Sequence, residues 1–208
     1  KNTTITSVTM PNSVTKVGDS AFADATNLLS AKLSENCTDV GICLFQGCTS
    51  LKSVDLNSKI ALINAQMFYK CSSIESIVIP DTVNKIGNYA FSECSSLKSV
   101  YIPSSVTEIS RSAFRKTASV TIKGSYGSYA EEYAKANNIP FEGISAYDVG
   151  DVNMDGGINI LDATLVQKYV VGIVELSAEQ KHLADYNNDG DITVIDATGI
   201  QKFIVHLN

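Results

Sequence analysis

The chain has 208 residues, 44% of them apolar and 18% charged, with a net charge of −6. That fits one large or two modest folded domains, and no apolar run approaches the roughly 20 residues of a membrane-spanning helix. Residues 1–144 hold 13 Lys/Arg and 12 Asp/Glu, whereas residues 145–208 hold 3 Lys and 10 Asp/Glu; the asymmetry predicts two modules, and the acidic one argues against nucleic acid, whose phosphates need a basic surface.

The chain opens at Lys1 without Met and without a signal-like segment. Ile5, Val8, Met10 and Pro11 match Leu97, Val100, Ile102 and Pro103 further on. The first residues therefore read as the tail half of a repeat. An uncapped repeat end exposes apolar surface, so more repeats or another domain are expected before Lys1.

A 23-residue period follows. Phe22, Phe45, Phe68, Phe91 and Phe114 recur at that spacing, as do Leu28, Leu51, Ile74, Leu97 and Val120. Val17, Val40, Ile63, Ile86 and Ile109 form a third column. Each unit is too short to bury its own apolar residues, so stacking must build the core. The Leu-x-x-Val-x-Ile-Pro segment predicts a short strand, closed by a Pro that cannot donate to a ladder. Gly18, Gly41 and Gly87 read as turn residues, and the Ala-Phe after them as a helical turn or coil.

Cys48, Cys71 and Cys94 share one column, ended by Ala25 and Thr117. They read as buried free thiols acting as small apolar residues, with a disulfide or metal role as the alternative. The solvent-facing strand positions are expected to be Thr9, Lys32, Asp55, Val78 and Tyr101, a varied surface suited either to a ligand or to water. Tyr126–Phe141 predicts a short amphipathic helix covering the last repeat, with Tyr129, Tyr133 and Ala136 on one side. No histidine precedes His182, and no Ser-His-Asp set, His-Glu-x-x-His or phosphate loop is present, so enzyme activity is not expected. Residues 1–144 resemble the BspA-like leucine-rich repeats of bacterial surface and secreted proteins. The resemblance implies a binding scaffold whose ligand is a protein or surface.

Two copies of a loop motif follow at an offset of 34. Calcium takes about six to eight oxygen ligands, supplied in calcium loops from positions 1, 3, 5, 7, 9 and 12. The first set is Asp151, Asn153, Asp155, the Gly157 carbonyl, Asn159 and Asp162; the second is Asp185, Asn187, Asp189, the Asp191 carbonyl, Thr193 and Asp196. Gly156 and Gly190 stand where the loop must turn sharply. Ile158 and Ile192 are expected to point inward. Two Ca²⁺ ions are therefore expected, in preference to Mg²⁺, which wants fewer protein ligands.

The loops depart from ordinary EF-hands. Position 12 is Asp rather than Glu, and Glu142–Gly150 offers no helix entering the first loop. Ser177-Ala-Glu-Gln180 reads as a capping box opening a helix between the copies. Residues 147–208 resemble a type I dockerin. The implied architecture is a leucine-rich repeat solenoid of short strands and coil, followed by a small all-α, EF-hand-like duplicated calcium-loop domain.

The resemblance implies a cohesin of a scaffoldin as partner and an extracellular or cell-surface, cellulosome-type setting. The implied contacts are Ile160, Leu161, Leu165, Gln167 and Lys168 in the first half, and Val194, Ile195, Gln201 and Lys202 in the second. Leu165 and Gly172 become Gly199 and His206 in the second copy. A helical Gly offers no side-chain contact, so the first half is expected to grip better. The rival readings are an EF-hand calcium sensor and the non-catalytic part of a larger secreted enzyme.

Overall fold

The structure, a computed structural model, describes residues 4–56, 59–117 and 119–206; Lys1 and the His206 side chain lie outside them. The chain folds as two compact units. One comprises Lys1–Gly124 and Ser128–Gly143, the other Ser125–Gly127 and Ile144–Asn208.

The first unit is a parallel solenoid in which each turn carries two short strands. One column consists of β1 (Ser7–Thr9), β3 (Ser30–Lys32), β5 (Ser53–Asp55), β7 (Ser76–Val78), β9 (Ser99–Tyr101) and β11 (Thr121–Ser125). The other consists of β2 (Lys16–Val17), β4 (Asp39–Val40), β6 (Leu62–Ile63), β8 (Lys85–Ile86) and β10 (Glu108–Ile109). Pairing is parallel and in register with the repeat, as in Ser7↔Ser30↔Ser53 and Ile63↔Ile86↔Ile109. The β9–β11 step is one residue shorter, pairing Val100 with Ile122. The second column was visible in the sequence only as buried Val and Ile, because two residues carry no alternation.

The phenylalanine column is the spine of this core. Consecutive rings from Phe22 to Phe114 lie 5.2 to 5.7 Å apart, and neighbouring planes differ by 6° to 18°. The coil between the strand columns places residues such as Cys43, Gln66 and Tyr89, and Asp24, Lys70 and Glu93, at φ of 56° to 61°. Gly41 and Gly87 have no positive φ. Their role is close approach: a Cβ at Gly87 would stand 2.8 Å from the Ala65 nitrogen.

All five cysteines are free thiols. Cys48, Cys71 and Cys94 are buried, but they do more than fill space. Their Sγ atoms donate to the carbonyl oxygens of Phe22, Phe45 and Phe68 at 3.0, 3.1 and 3.0 Å. Thr117 in the same column donates its hydroxyl to the Phe91 carbonyl at 2.7 Å.

Outside, the repeat brings charges 23 residues apart face to face. Lys16 pairs with Asp39 at 2.6 Å, Lys32 with Asp55 at 2.9 Å and Lys85 with Glu108 at 2.8 Å. Such exposed pairs contribute at most about 1 kcal/mol each, but a slipped register would lose them all. The Lys32–Asp55 pair also occupies part of the expected solvent-facing column, and Tyr101 at its end is half-buried.

Helix α1 (Tyr129–Ala136) closes the array. Ser128 caps it, accepting from the Glu131 amide. Its buried residues are Ala130, Tyr133 and Ala134, while Tyr129 is 38% exposed. The side expected from Tyr129 and Ala136 is therefore corrected by a rotation of the helix: Tyr133 ends the ring column, tilted by 54° and 6.1 Å from Phe114, and its hydroxyl donates to the Ser110 carbonyl. Strand β12 (Phe141–Ile144) pairs with β11.

The second unit is all-helical: α2 (Ile160–Val170), α3 (Ala178–Ala184) and α4 (Val194–His206). Helices α2 and α4 pack together. Its core includes Val152, Val166, Ala197 and Ile200, with Ile158 and Ile192 packed against it. The capping box at α3 is formed reciprocally, Gln180 N to Ser177 Oγ at 3.1 Å and Ser177 N to Gln180 Oε1 at 3.0 Å. Helix α2 ends in a Schellman motif. Gly172, at φ 75°, donates to the Tyr169 carbonyl, and Ile173 to that of Lys168.

Candidate metal loops and the adjoining helix faces

No helix enters the first loop; the backbone from Ser145 to Asn159 is turns and bends. Asp151 sits at its start, 2% exposed. Its two oxygens accept from the Asp155 and Gly156 amides at 3.1 and 2.9 Å. The Gly156 amide reaches it because Gly156 adopts φ 91°, a conformation costly for any residue with a Cβ. Asn153 Oδ1 accepts from the Asp155 amide and Asp155 Oδ1 from the Gly157 amide.

Asp162 closes the loop and is fully buried. One oxygen accepts from the Asn153 amide at 2.9 Å, the other from the Asn159 amide at 2.8 Å. The second bond, with Leu161 N donating to Asn159 Oδ1 at 2.9 Å, caps α2. A carboxylate that must reach both the loop's entry and the helix's first turn is served by the short Asp side chain. This gives a physical account of Asp at position 12.

The second loop repeats the arrangement. Asp185 accepts from the Asp189 and Gly190 amides, and Gly190 has φ 90°. Asn187 Oδ1 accepts from the Asp189 amide, and Asp189 Oδ1 from the Asp191 amide at 2.9 Å. Asp196, also fully buried, accepts from the Asn187 and Thr193 amides at 3.2 and 2.9 Å. Thr193 Oγ1 caps α4 by accepting from the Ile195 amide.

Backbone amides bind these carboxylates without neutralising them. A buried carboxylate lacking a counter-charge is unfavourable. The donor set in each loop is carboxylate, side-chain amide or hydroxyl, and backbone carbonyl oxygen. That chemistry fits a hard divalent cation of calcium's size.

Next to each loop lies an exposed apolar pair. Ile160 and Leu161 are 55% and 61% exposed, and Val194 and Ile195 are 58% and 62% exposed. Gln167, Lys168 and Lys202 are exposed, and Gln201 is half-buried. Leu165 stands apart, because it is half-buried and packed against the core of its unit. Sequence reasoning passed over Val171, Ile173 and Val205, all two-thirds exposed or more. For Val171 and Ile173 the signal was an apolar run continuing beyond the end of α2; Val205 lies in the last turn of α4.

The two units are thus a repeat scaffold and a duplicated loop–helix module. The chain belongs to the family of the BspA type leucine rich repeat region, whose model matches residues 1–121 in six copies. The model of the dockerin type I domain matches residues 149–205. Among solved structures, a leucine rich cell surface protein from Faecalibacterium prausnitzii A2-165 is 33% identical, with a TM-score of 0.59, over 62% of this chain and 34% of that one. The leucine rich repeat protein of T. pallidum is 31% identical, with a TM-score of 0.55, over 57% of this chain and 58% of that one. The pneumococcal vaccine antigen PcpA, at 17% identity and a TM-score of 0.54, shares the fold over 68% of this chain and 42% of that one. The chain therefore spans about a third of the first of these proteins and somewhat over half of the second. No curated protein matches the chain.

Both matched domains are non-catalytic binding modules. Type I dockerin domains bind calcium and imply a cohesin partner, and leucine-rich repeats imply protein interaction. Both are typical of extracellular or surface proteins. Among the described residues no helix is long and apolar enough to cross a membrane.

Proposed function

We propose that residues 147–208 dock onto a cohesin of a scaffoldin when loaded with two calcium ions, and so recruit the repeat domain, residues 1–144, to an extracellular cellulosome-type complex. The first ion is held by Asp151, Asn153, Asp155, the Gly157 carbonyl, Asn159 and Asp162. The second is held by Asp185, Asn187, Asp189, the Asp191 carbonyl, Thr193 and Asp196. Calcium supplies the positive charge that fixes each loop, and through Asp162 and Asp196 the loop fixes the start of α2 and α4.

The observation that carries this reading is the exposure of an apolar pair beside each loop, Ile160–Leu161 and Val194–Ile195. Apolar residues held at a rigid helix start and rimmed by Lys168 and Lys202 match the anatomy of a specific interface, with an apolar centre and a polar rim. Leu165, Gln167 and Gln201 complete the contact. Calorimetric titration against a panel of cohesins, in calcium and again in chelator, tests it. Tight binding that chelator abolishes is the expected result. Full calcium loading with no binding to any cohesin would refute it.

A further inference from the structure

The chain contains two arginines, Arg111 and Arg115; its other fourteen basic residues are lysines. Both arginines fall in the last repeat, where the equivalent residues one turn earlier are Asn88 and Ser92. Both line a single cavity of about 710 Å³ between that repeat and the segment after α1. Its lining contains Lys116 as well, and no carboxylate. Among the described residues, neither guanidinium takes part in a side-chain hydrogen bond or ion pair. Lys116 is already paired with Glu93 at 3.1 Å.

The rest of the lining is mixed. Ser112 and Asn138 offer hydroxyl and amide groups, while Phe114 and Ile139 offer apolar surface. A second cavity of about 330 Å³ shares Arg115 and Lys116 with the first and adds Tyr89 and one carboxylate, Glu93, which is the partner of Lys116. The two cavities adjoin along Arg115 and Lys116 and together make a groove whose arginine end, around Arg111, holds no carboxylate. Tyr69 lines it too, but the Lys70 ammonium lies 5.1 Å from its ring centroid, which leaves Tyr89 as the ring open to a ligand.

We infer that this groove binds an acidic oligosaccharide, one whose sugar rings bear carboxylates. Arginine's planar fork pairs with a carboxylate through two parallel hydrogen bonds, which lysine cannot do. A sugar ring has a hydroxyl rim for Ser112 and Asn138 and a C–H face for Tyr89. A space of this size has room for a ligand of several rings, well beyond a single phosphate. In a chain of net charge −6, two arginines without a side-chain partner give an anion a reason to approach here. The inference rests on the repeat domain's being a binding module, and needs no contribution from the calcium loops.

The test is calorimetry on the whole chain with trigalacturonate and with the same trimer methyl-esterified, at low ionic strength. The acid should bind, and the ester about tenfold more weakly or worse, since the charged hydrogen bonds are lost. Arg111→Gln and Arg115→Gln should each weaken the acid about tenfold, with Arg115→Lys between them and wild type. Both residues are exposed, so an unchanged melting curve is expected to accompany the loss. No binding of the acid, equal binding of acid and ester, or wild-type binding by the double Gln variant would each overturn the inference. Cohesin titrated in parallel separates the two readings. A chain that docks but ignores the trimer overturns this inference alone; one that binds the trimer but no cohesin overturns the docking reading alone.

Discussion

The ring of Tyr186 lies over the α-carbon of Gly199: a Cβ there would stand 2.6 Å from Tyr186 Cδ1. In the first half the equivalent residues are Val152, fully buried, and Leu165, packed against the same core. The two halves solve one packing problem with opposite sizes. Gly199 is thus a consequence of the large residue at loop position two, and not merely a gap in the helix face. Gly199→Leu alone should destabilise the second unit by about 1–3 kcal/mol through overpacking. Tyr186→Val alone should also destabilise it, and the double variant should recover a large part of both losses. Denaturant unfolding of the calcium-loaded chain in a double-mutant cycle reads this directly; additive losses would show that the two residues are uncoupled.

The same asymmetry bears on partner binding. Leu161→Asp is expected to weaken cohesin binding by about 2 kcal/mol or more, the scale of an interface hot spot. Ile195→Asp should cost less, since α4 has Gly199 where α2 has Leu165. Equal losses in calorimetry would mean that the two faces are used interchangeably.

Calcium should hold the second unit together. Free calcium at a hundred times its dissociation constant stabilises a folded site by about 2.7 kcal/mol. Chelator should therefore abolish the circular dichroism of α2–α4 at moderate temperature and leave the repeat domain's own transition in place. Asp162→Ala should reduce the calcium stoichiometry from two ions to one. A variant still binding two ions would remove Asp162 from the ligand set.

The cysteine ladder makes a chemical prediction. Burial pushes the Cys94 thiol up to about 12 and Cys48 to about 11, and Cys71 is also raised, again chiefly by burial. Iodoacetamide should label half-buried Cys43 first in the native chain, as mass spectrometry can establish. The folded state holds these protons more tightly than the unfolded chain does. Stability from this source is complete below the ordinary thiol range and falls as pH rises from about 9 towards 12.

The ladder can also be probed by substitution. Cys71→Thr should be tolerated better than Cys71→Val, because Thr, like Thr117, still donates to the carbonyl. The difference should be about 0.5–1.5 kcal/mol in thermal unfolding, the net worth of one hydrogen bond, since the Phe45 carbonyl still accepts from the Cys48 amide. If Val proves as good as Thr, the thiol bonds contribute nothing.

Much of this was legible in the sequence because the signals were periodic. Five phenylalanines at one spacing name a stacked column, and oxygen-bearing residues at alternate positions name a loop whose side chains turn back onto its own amides. What stayed hidden depends on which atoms meet across turns. The thiol–carbonyl ladder cannot be read from Cys48, Cys71 and Cys94 alone, since burial as apolar residues would give the same column. The rotation of α1 was misjudged because its amphipathic pattern is short, and Ala130 and Ala134 are weak markers of a buried face. The groove at Arg111 and Arg115 required the segment after α1 to be placed beside the last repeat.

The charges 23 residues apart have one more implication. Lys16, Lys32 and Lys85 each find their partner in the following turn, each ring meets the next, and each thiol of the ladder bonds back to the turn before. These contacts between coils join each turn to its immediate neighbours. A gene for such a chain can gain or lose one whole unit by unequal crossing-over, and the new protein meets the same contacts at the junction. Length then becomes a heritable variable separate from foldability, and lineages can adjust the reach of the array while both of its ends keep their roles.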